Sequence, residues 1–137
     1  MTHVMRAISA TAAIFAISGA AWVGAQQPAA PVFTAGQATN GKVVYEKSCA
    51  ACHMADLSGA ECAPPLAGIN FLSTWGTRTT KQLLDYMSGS MPNGAPPLDA
   101  ESYVALTAYI LKSNGAAAGA RPLTSSTAAP IGDLIQP

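Results

Sequence analysis

Cys49-Ala50-Ala51-Cys52-His53 is the stretch whose reading decides the fold. Two thiols spaced C-x-x-C and followed at once by histidine form the attachment pattern of a c-type haem. Cysteines three apart at the end of a helix can each reach one vinyl group of the same porphyrin and form thioethers. His53, the next residue, then brings its imidazole beneath the iron as proximal ligand. Three other uses of the cysteines compete with this reading. A redox dithiol follows a β-strand in a βαβ context, which is not visible in this chain. A Cys3His zinc site completed by Cys62 would need the adjacent Cys52 and His53 to turn towards one metal. A structural disulfide is the third.

Upstream, a helix is expected to begin near Thr39 or Asn40, with Val43, Val44 and Tyr45 as its apolar side, and to run into Cys49. Gly41 inside it costs about 1 kcal/mol relative to alanine, which points to close approach of a second helix. Downstream, residues 57–70 carry Gly59, Pro64, Pro65 and Gly68 and read as a loop. Prolines there can hold a carbonyl where it accepts the Nδ1–H of His53, which sets the imidazole's tautomer and its strength as a ligand. Pro64 is the candidate, with Leu66 packing on the porphyrin face. Phe71, Leu72 and Trp75 make an apolar cluster before Thr77-Arg78-Thr79. The Trp75 N–H and the Arg78 guanidinium suit a partly buried propionate, simple packing and a solvated charge being the ordinary alternatives. A short helix over residues 81–88 is expected, capped by Thr80, with Leu83, Leu84 and Met87 inward.

The loop Ser88-Gly89-Ser90-Met91-Pro92-Asn93-Gly94-Ala95-Pro96-Pro97 places one thioether near its middle. A soft sulfur opposite histidine stabilises ferrous iron and raises the potential, as an electron carrier requires. Met91 lies 38 residues beyond His53, enough chain to pass from one haem face to the other. Met54 adjoins His53 and must stay on the proximal side. Met87 has helical spacing from Leu83 and Leu84 and so reads as core. The last helix is capped by Asp99 and favoured by Glu101. It shows an apolar face of Tyr103, Leu106, Tyr109, Ile110 and Leu111, and is stopped by Asn114-Gly115. Its natural mate is the helix around Gly41 and Tyr45.

The 137 residues suit one domain; only 10% are charged and the formal net charge is zero, so no basic patch invites nucleic acid. Residues 1–25 read as a cleaved signal peptide: Arg6 in the n-region, an apolar run over residues 7–23, and small residues ending at Ala25. With them goes His3, which leaves His53 as the only histidine and excludes bis-histidine ligation within the chain. Residues 26–137 keep six basic and seven acidic side chains, a net charge of −1. Residues 26–38 read as an extended lead-in and residues 39–115 as the domain. Residues 116–137 read as a low-complexity, irregular tail lying on the surface or partly mobile, with only Leu123, Ile131, Leu134 and Ile135 to anchor it. No membrane span is expected after cleavage. Cys62 has no intramolecular partner once two thiols hold haem. It reads as a small buried hydrophobe, with an intermolecular disulfide or a redox thiol as alternatives.

A glycine-bearing helix, C-A-A-C-H, P-P-L, Trp, M-P and an aromatic C-terminal helix, in that order, resemble a class I monohaem cytochrome c. The run from Trp75 through R-T-T to S-M-P-N-G-A-P-P-L and Y-I-L-K-S-N-G also resembles cytochromes associated with bacterial quinoprotein dehydrogenases. The resemblance covers residues 39–115 and implies an all-α fold, three to four helices wrapped around one haem c. It implies thioethers at Cys49 and Cys52, His53 and Met91 axial, and Pro64 as the supporting carbonyl. The implied function is that of a periplasmic one-electron carrier rather than an enzyme. Its partners would be redox proteins: a donor such as a periplasmic dehydrogenase and an acceptor such as a terminal oxidase. A permanent haem subunit of a dehydrogenase or oxidase, and a haem sensor or peroxidase-like enzyme with a labile distal ligand, are the alternatives.

Overall fold

Thr34 opens the first helix, five residues ahead of the expected start. Its hydroxyl accepts the Gln37 N–H while the Gln37 side chain accepts the Thr34 N–H, a complete capping box. The extended lead-in over residues 26–38 therefore ends at Thr34. Thr39, read as a cap, lies inside the helix with its hydroxyl on the Ala35 carbonyl. The structure, a computed structural model, describes residues 29–135, and the signal peptide read over residues 1–25 lies outside them.

Among the described residues six helices follow in order: α1 (Ala35–Ser48), α2 (Ala50–His53), α3 (Gly68–Trp75), α4 (Thr80–Ser90), α5 (Ala100–Ser113) and α6 (Ile131–Leu134). The described residues contain no strand, only the isolated bridges Ala60–Ala63 and Thr79–Pro130. Four of the helices exceed one turn by a wide margin, and this all-α arrangement is the expected one. The loop read over residues 57–70 is shorter than expected, because α3 starts at Gly68. Phe71 and Trp75, four apart and both buried, give that helix its inward side. The cap of α4 is Thr79, in a second capping box with Gln82. Thr80, read as the cap, is instead buried. Its hydroxyl donates to the Thr127 carbonyl at 2.6 Å and accepts the Ala129 N–H at 3.1 Å. Leu83, Leu84 and Met87 do face the core.

The frame of the molecule is the packing of α1 on α5. Ala38, Gly41 and Tyr45, three and four apart, are the buried side of α1, while Val43, expected on that side, is 63% exposed. Residue 43 is about 200° round the helix from residue 41, so it cannot share the seam. At Gly41 the two backbones nearly touch. A Cβ there would overlap the Ala105 carbonyl and lie 2.8 Å from the Tyr109 Cβ. Tyr45 and Tyr109 then stack, tilted, at 5.2 Å between centroids. Asp99 caps α5 through the Ser102 N–H at 2.7 Å.

Residues 116–135 are a bound strap rather than a bare tail. Leu123, Ile131 and Ile135 are buried in the core cluster, with Leu134 packed against its edge. The Gln37 side chain takes both the N–H and the carbonyl of Leu123. The Ile131 and Gly132 N–H groups then bond the Arg78 and Gly76 carbonyls. A low-complexity composition is compatible with this order because hydrogen-bond partners on α1, on α4 and in the link between α3 and α4 pair much of the strap's backbone.

Candidate haem-binding site

The end of α1 delivers the cysteines. The Cys49 N–H still bonds the Tyr45 carbonyl at 2.9 Å, but its backbone leaves helical geometry, and α2 begins at once. The Cys52 and His53 N–H groups both return to the Cys49 carbonyl, at 3.1 and 3.0 Å. The three side chains are thus borne by a single tight turn. All three cysteines of the chain carry free thiols. Burial, with the Cys52 thiol adding to it, pushes the Cys49 thiol up from its ordinary range.

His53 is buried and its Nδ1 lies 2.8 Å from the Pro64 carbonyl oxygen. A carbonyl can only accept, so Nδ1–H is the donor, and Nε2 is the ring nitrogen left to face a metal. The geometry holding that carbonyl is built from the intervening turn. Met54 and Leu57 adopt positive φ, 63° and 62°, which reverses the chain after α2. Such sparsely populated conformations cost a non-glycine residue about 1–3 kcal/mol. The Tyr45 hydroxyl faces the first of them and meets the Met54 carbonyl at 2.6 Å and the His53 carbonyl at 3.2 Å. Burial pushes the Tyr45 phenol well up, so it stays a donor. Gly59, at φ 74°, returns its N–H to the His53 carbonyl, and Ala60 and Ala63 exchange N–H and carbonyl across a tight turn. A Cβ at Gly59 would meet the Pro65 nitrogen at 2.6 Å, so this position requires glycine.

Leu66 lies half-buried against the core and is tied to the same turn by its N–H on the Leu57 carbonyl at 2.9 Å. Asn114, which the sequence shows only as a helix stop, holds this segment from the far side. Its Nδ2 donates to the Leu66 carbonyl at 2.9 Å and its Oδ1 accepts the Gly68 N–H at 2.9 Å. No local signal could reveal bonds spanning 46 and 48 residues. Asn114→Ala strands that carbonyl and N–H. Given about 1–3 kcal/mol per unsatisfied buried group and the half-exposed setting, we expect a loss of about 1–2 kcal/mol. Chemical unfolding of the haem-loaded variant checks this; an unchanged midpoint refutes it.

Met91 caps the C-terminal end of α4 and is half-buried, whereas Met87 is 8% exposed within the core cluster. The core assignment of Met87 therefore holds, while Met91 and Met54 are the described methionines outside that cluster, Met54 being tied by sequence to His53. Trp75 is buried and Arg78 exposed, and they form a pair of their own: the guanidinium lies 4.8 Å over the indole, which meets Tyr86 edge-on at 5.4 Å. Cys62 corrects the reading of a buried hydrophobe. It is exposed, with Glu61, at the tip of the Ala60–Ala63 turn, while Ala63 is the turn residue that points inward. Among the described residues no group of three or more His, Cys, Asp or Glu gathers to hold a metal, so a Cys3His site has no geometry. The described residues also lack the strand that a redox dithiol would follow.

The family described as "Cytochrome C oxidase, cbb3-type, subunit III" matches residues 36–110, more than half of the chain. The chain belongs to this cytochrome c family. Comparison with curated proteins found no match. Among solved structures, the cytochrome domain is similar to the crystal structure of the sulfane dehydrogenase SoxCD from Paracoccus pantotrophus. Identity is 30% and the TM-score 0.50, over 57% of this chain and 43% of that one. This chain therefore spans less than half the length of that relative.

A cytochrome c domain carries covalent haem c, and the donor set fits it. Cys49 and Cys52 offer two thiols outside any disulfide at thioether spacing, and His53 offers Nε2, its ring oriented by the Nδ1 bond to the Pro64 carbonyl. No helix among the described residues is long and apolar enough to cross a membrane.

Proposed function

We propose that this cytochrome is an exported one-electron carrier whose haem is joined at Cys49 and Cys52 and ligated by His53 and Met91. The observation that supports the reading is the His53 Nδ1–H bond to the Pro64 carbonyl, which leaves the other imidazole nitrogen available to an iron. When bound, haem supplies an iron centre that gains and loses one electron. The chain's own residues do the rest. Pro64 holds the imidazole tautomer, Tyr45 and Gly59 hold the turn that carries Pro64, and Leu66 gives the porphyrin an apolar wall. Met91 would supply the second protein ligand to the iron, so that the protein would exchange electrons without binding a substrate. Trp75 and Arg78 offer an N–H and a cation to a propionate. The leader over residues 1–25 directs the chain to the periplasm, where c-type attachment takes place.

Its partners are redox proteins: a donor such as a periplasmic dehydrogenase and an acceptor such as a terminal oxidase. The similarity to a chain of a sulfane dehydrogenase supports the second reading, a haem subunit held permanently by a dehydrogenase. The experiment is mass spectrometry and visible spectroscopy of protein purified from a host that attaches haem. The carrier reading expects one added haem, an N-terminus at Gln26, a far-red sulfur-to-iron band, and no carbon monoxide adduct of the reduced protein at neutral pH. A stable complex recovered at stoichiometric ratio selects the subunit reading. Rapid carbon monoxide binding selects a sensor or peroxidase-like enzyme. A colourless mature protein ends all three.

A further inference from the structure

One hydroxyl holds both ends of the loop between α4 and α5. Tyr103, on α5 and 4% exposed, donates to the Met91 carbonyl at 2.6 Å and accepts the Leu98 N–H at 3.0 Å. Between those two points the chain has little support of its own. Residues 93–97 are exposed, and the loop's internal backbone bond runs from the Ala95 N–H to the Pro92 carbonyl at 3.3 Å. The Met91 N–H is tied back to the Met87 carbonyl at 2.8 Å, so α4 fixes one side of Met91 and Tyr103 the other. The hydroxyl itself cannot drift. Its helix is seated on α1 at Gly41, where the backbones leave no room for even a methyl group. Removing the hydroxyl while keeping the ring leaves a carbonyl and an N–H unpaired at the two ends of the segment that begins with Met91.

We propose that Tyr103 is a positioning residue for Met91: its hydroxyl closes the 91–98 loop and thereby sets how readily an outside ligand displaces the thioether. This rests on the reading of Met91 as distal ligand. The test titrates haem-loaded ferric protein with imidazole, follows the far-red sulfur-to-iron band, and records thermal melting by circular dichroism in parallel. Tyr103→Phe keeps the band at rest and loses it at about tenfold lower imidazole, equivalent to about 1.4 kcal/mol. Thr80→Val is the matched control, because its hydroxyl has the same two kinds of partner but on the C-terminal strap. It lowers the melting temperature and leaves the imidazole midpoint in place. A Tyr103→Phe midpoint within twofold of the parent, or an equal shift in Thr80→Val, overturns the proposal. A band that survives in Met91→Ala instead overturns the ligand reading, a separate failure. If Tyr103→Phe yields no haem-loaded protein, amide exchange in the parent decides. The Leu98 N–H must exchange about a hundredfold more slowly than that of Gly94, and equal rates overturn the proposal.

Discussion

Gly41→Ala lowers the melting temperature of the haem-loaded protein by roughly 10 °C, although alanine is the better helix former. Two effects of opposite sign meet at this position. Replacing glycine within a helix gains about 1 kcal/mol of propensity. Against that stands a methyl group that would overlap the Ala105 carbonyl and press on the Tyr109 Cβ at 2.8 Å. Overpacking a well-filled seam costs about 1–3 kcal/mol, and more where the obstacle is backbone, which has no rotamer to escape into. The helices must separate, and the Tyr45–Tyr109 contact at 5.2 Å opens with them. Net destabilisation of about 2 kcal/mol in a domain of this size corresponds to the stated shift. The effect also reaches the haem turn, because the Tyr45 hydroxyl bonds the His53 and Met54 carbonyls from the same face of α1. Thermal melting by circular dichroism decides the matter. A variant as stable as the parent, or more so, would mean that helix propensity wins and that the seam has slack.

Met91→Ala is expected to leave a folded, coloured protein with a different iron. The covalent anchors and His53 lie on the α1–α2 side of the sequence and do not depend on the 91–98 loop. The loop backbone also keeps its bond to Tyr103, since that bond uses the Met91 carbonyl rather than its side chain. What disappears is the sulfur. The far-red band vanishes, the reduced protein takes up carbon monoxide at neutral pH, and the potential drops by at least roughly 0.1 V of the ~0.8 V that axial ligation spans. Met87→Leu, a swap of similar volume in the core, should cost less than about 1.5 kcal/mol and keep all three properties. If the band is lost in Met87→Leu and kept in Met91→Ala, the assignment of the distal ligand is reversed.

The haem motif, the all-α class and the pairing of α1 with α5 were legible because each is written locally. C-A-A-C-H is contiguous, and Gly41 amid helix formers announces a close crossing. Asp99 and Asn114-Gly115 bracket α5 as read. The helix starts were less well placed for an equally local reason: Thr34-Ala35-Gly36-Gln37 and Thr79-Thr80-Lys81-Gln82 are both capping boxes, and each precedes the residue chosen as cap. Val43 and Cys62 were misplaced because apolar character was equated with burial. On α1 the seam is defined by residues three and four apart, and in the 60–63 turn it is Ala63 rather than Cys62 that is buried.

The sequence by itself determined which atoms can hold the haem and which fold can surround it, since covalent attachment needs only residue types at fixed spacing and helices need only local caps and periodicity. The tertiary structure alone decided what steadies those atoms. Asn114 reaches the Leu66–Gly68 backbone across 46 and 48 residues, Thr80 and Gln37 bind the C-terminal strap, and Tyr103 joins the two ends of the Met91 loop. Each is a hydrogen bond whose partner is a backbone group present at every position, so residue identity gives no clue to the pairing. Only packing brings donor and acceptor within reach.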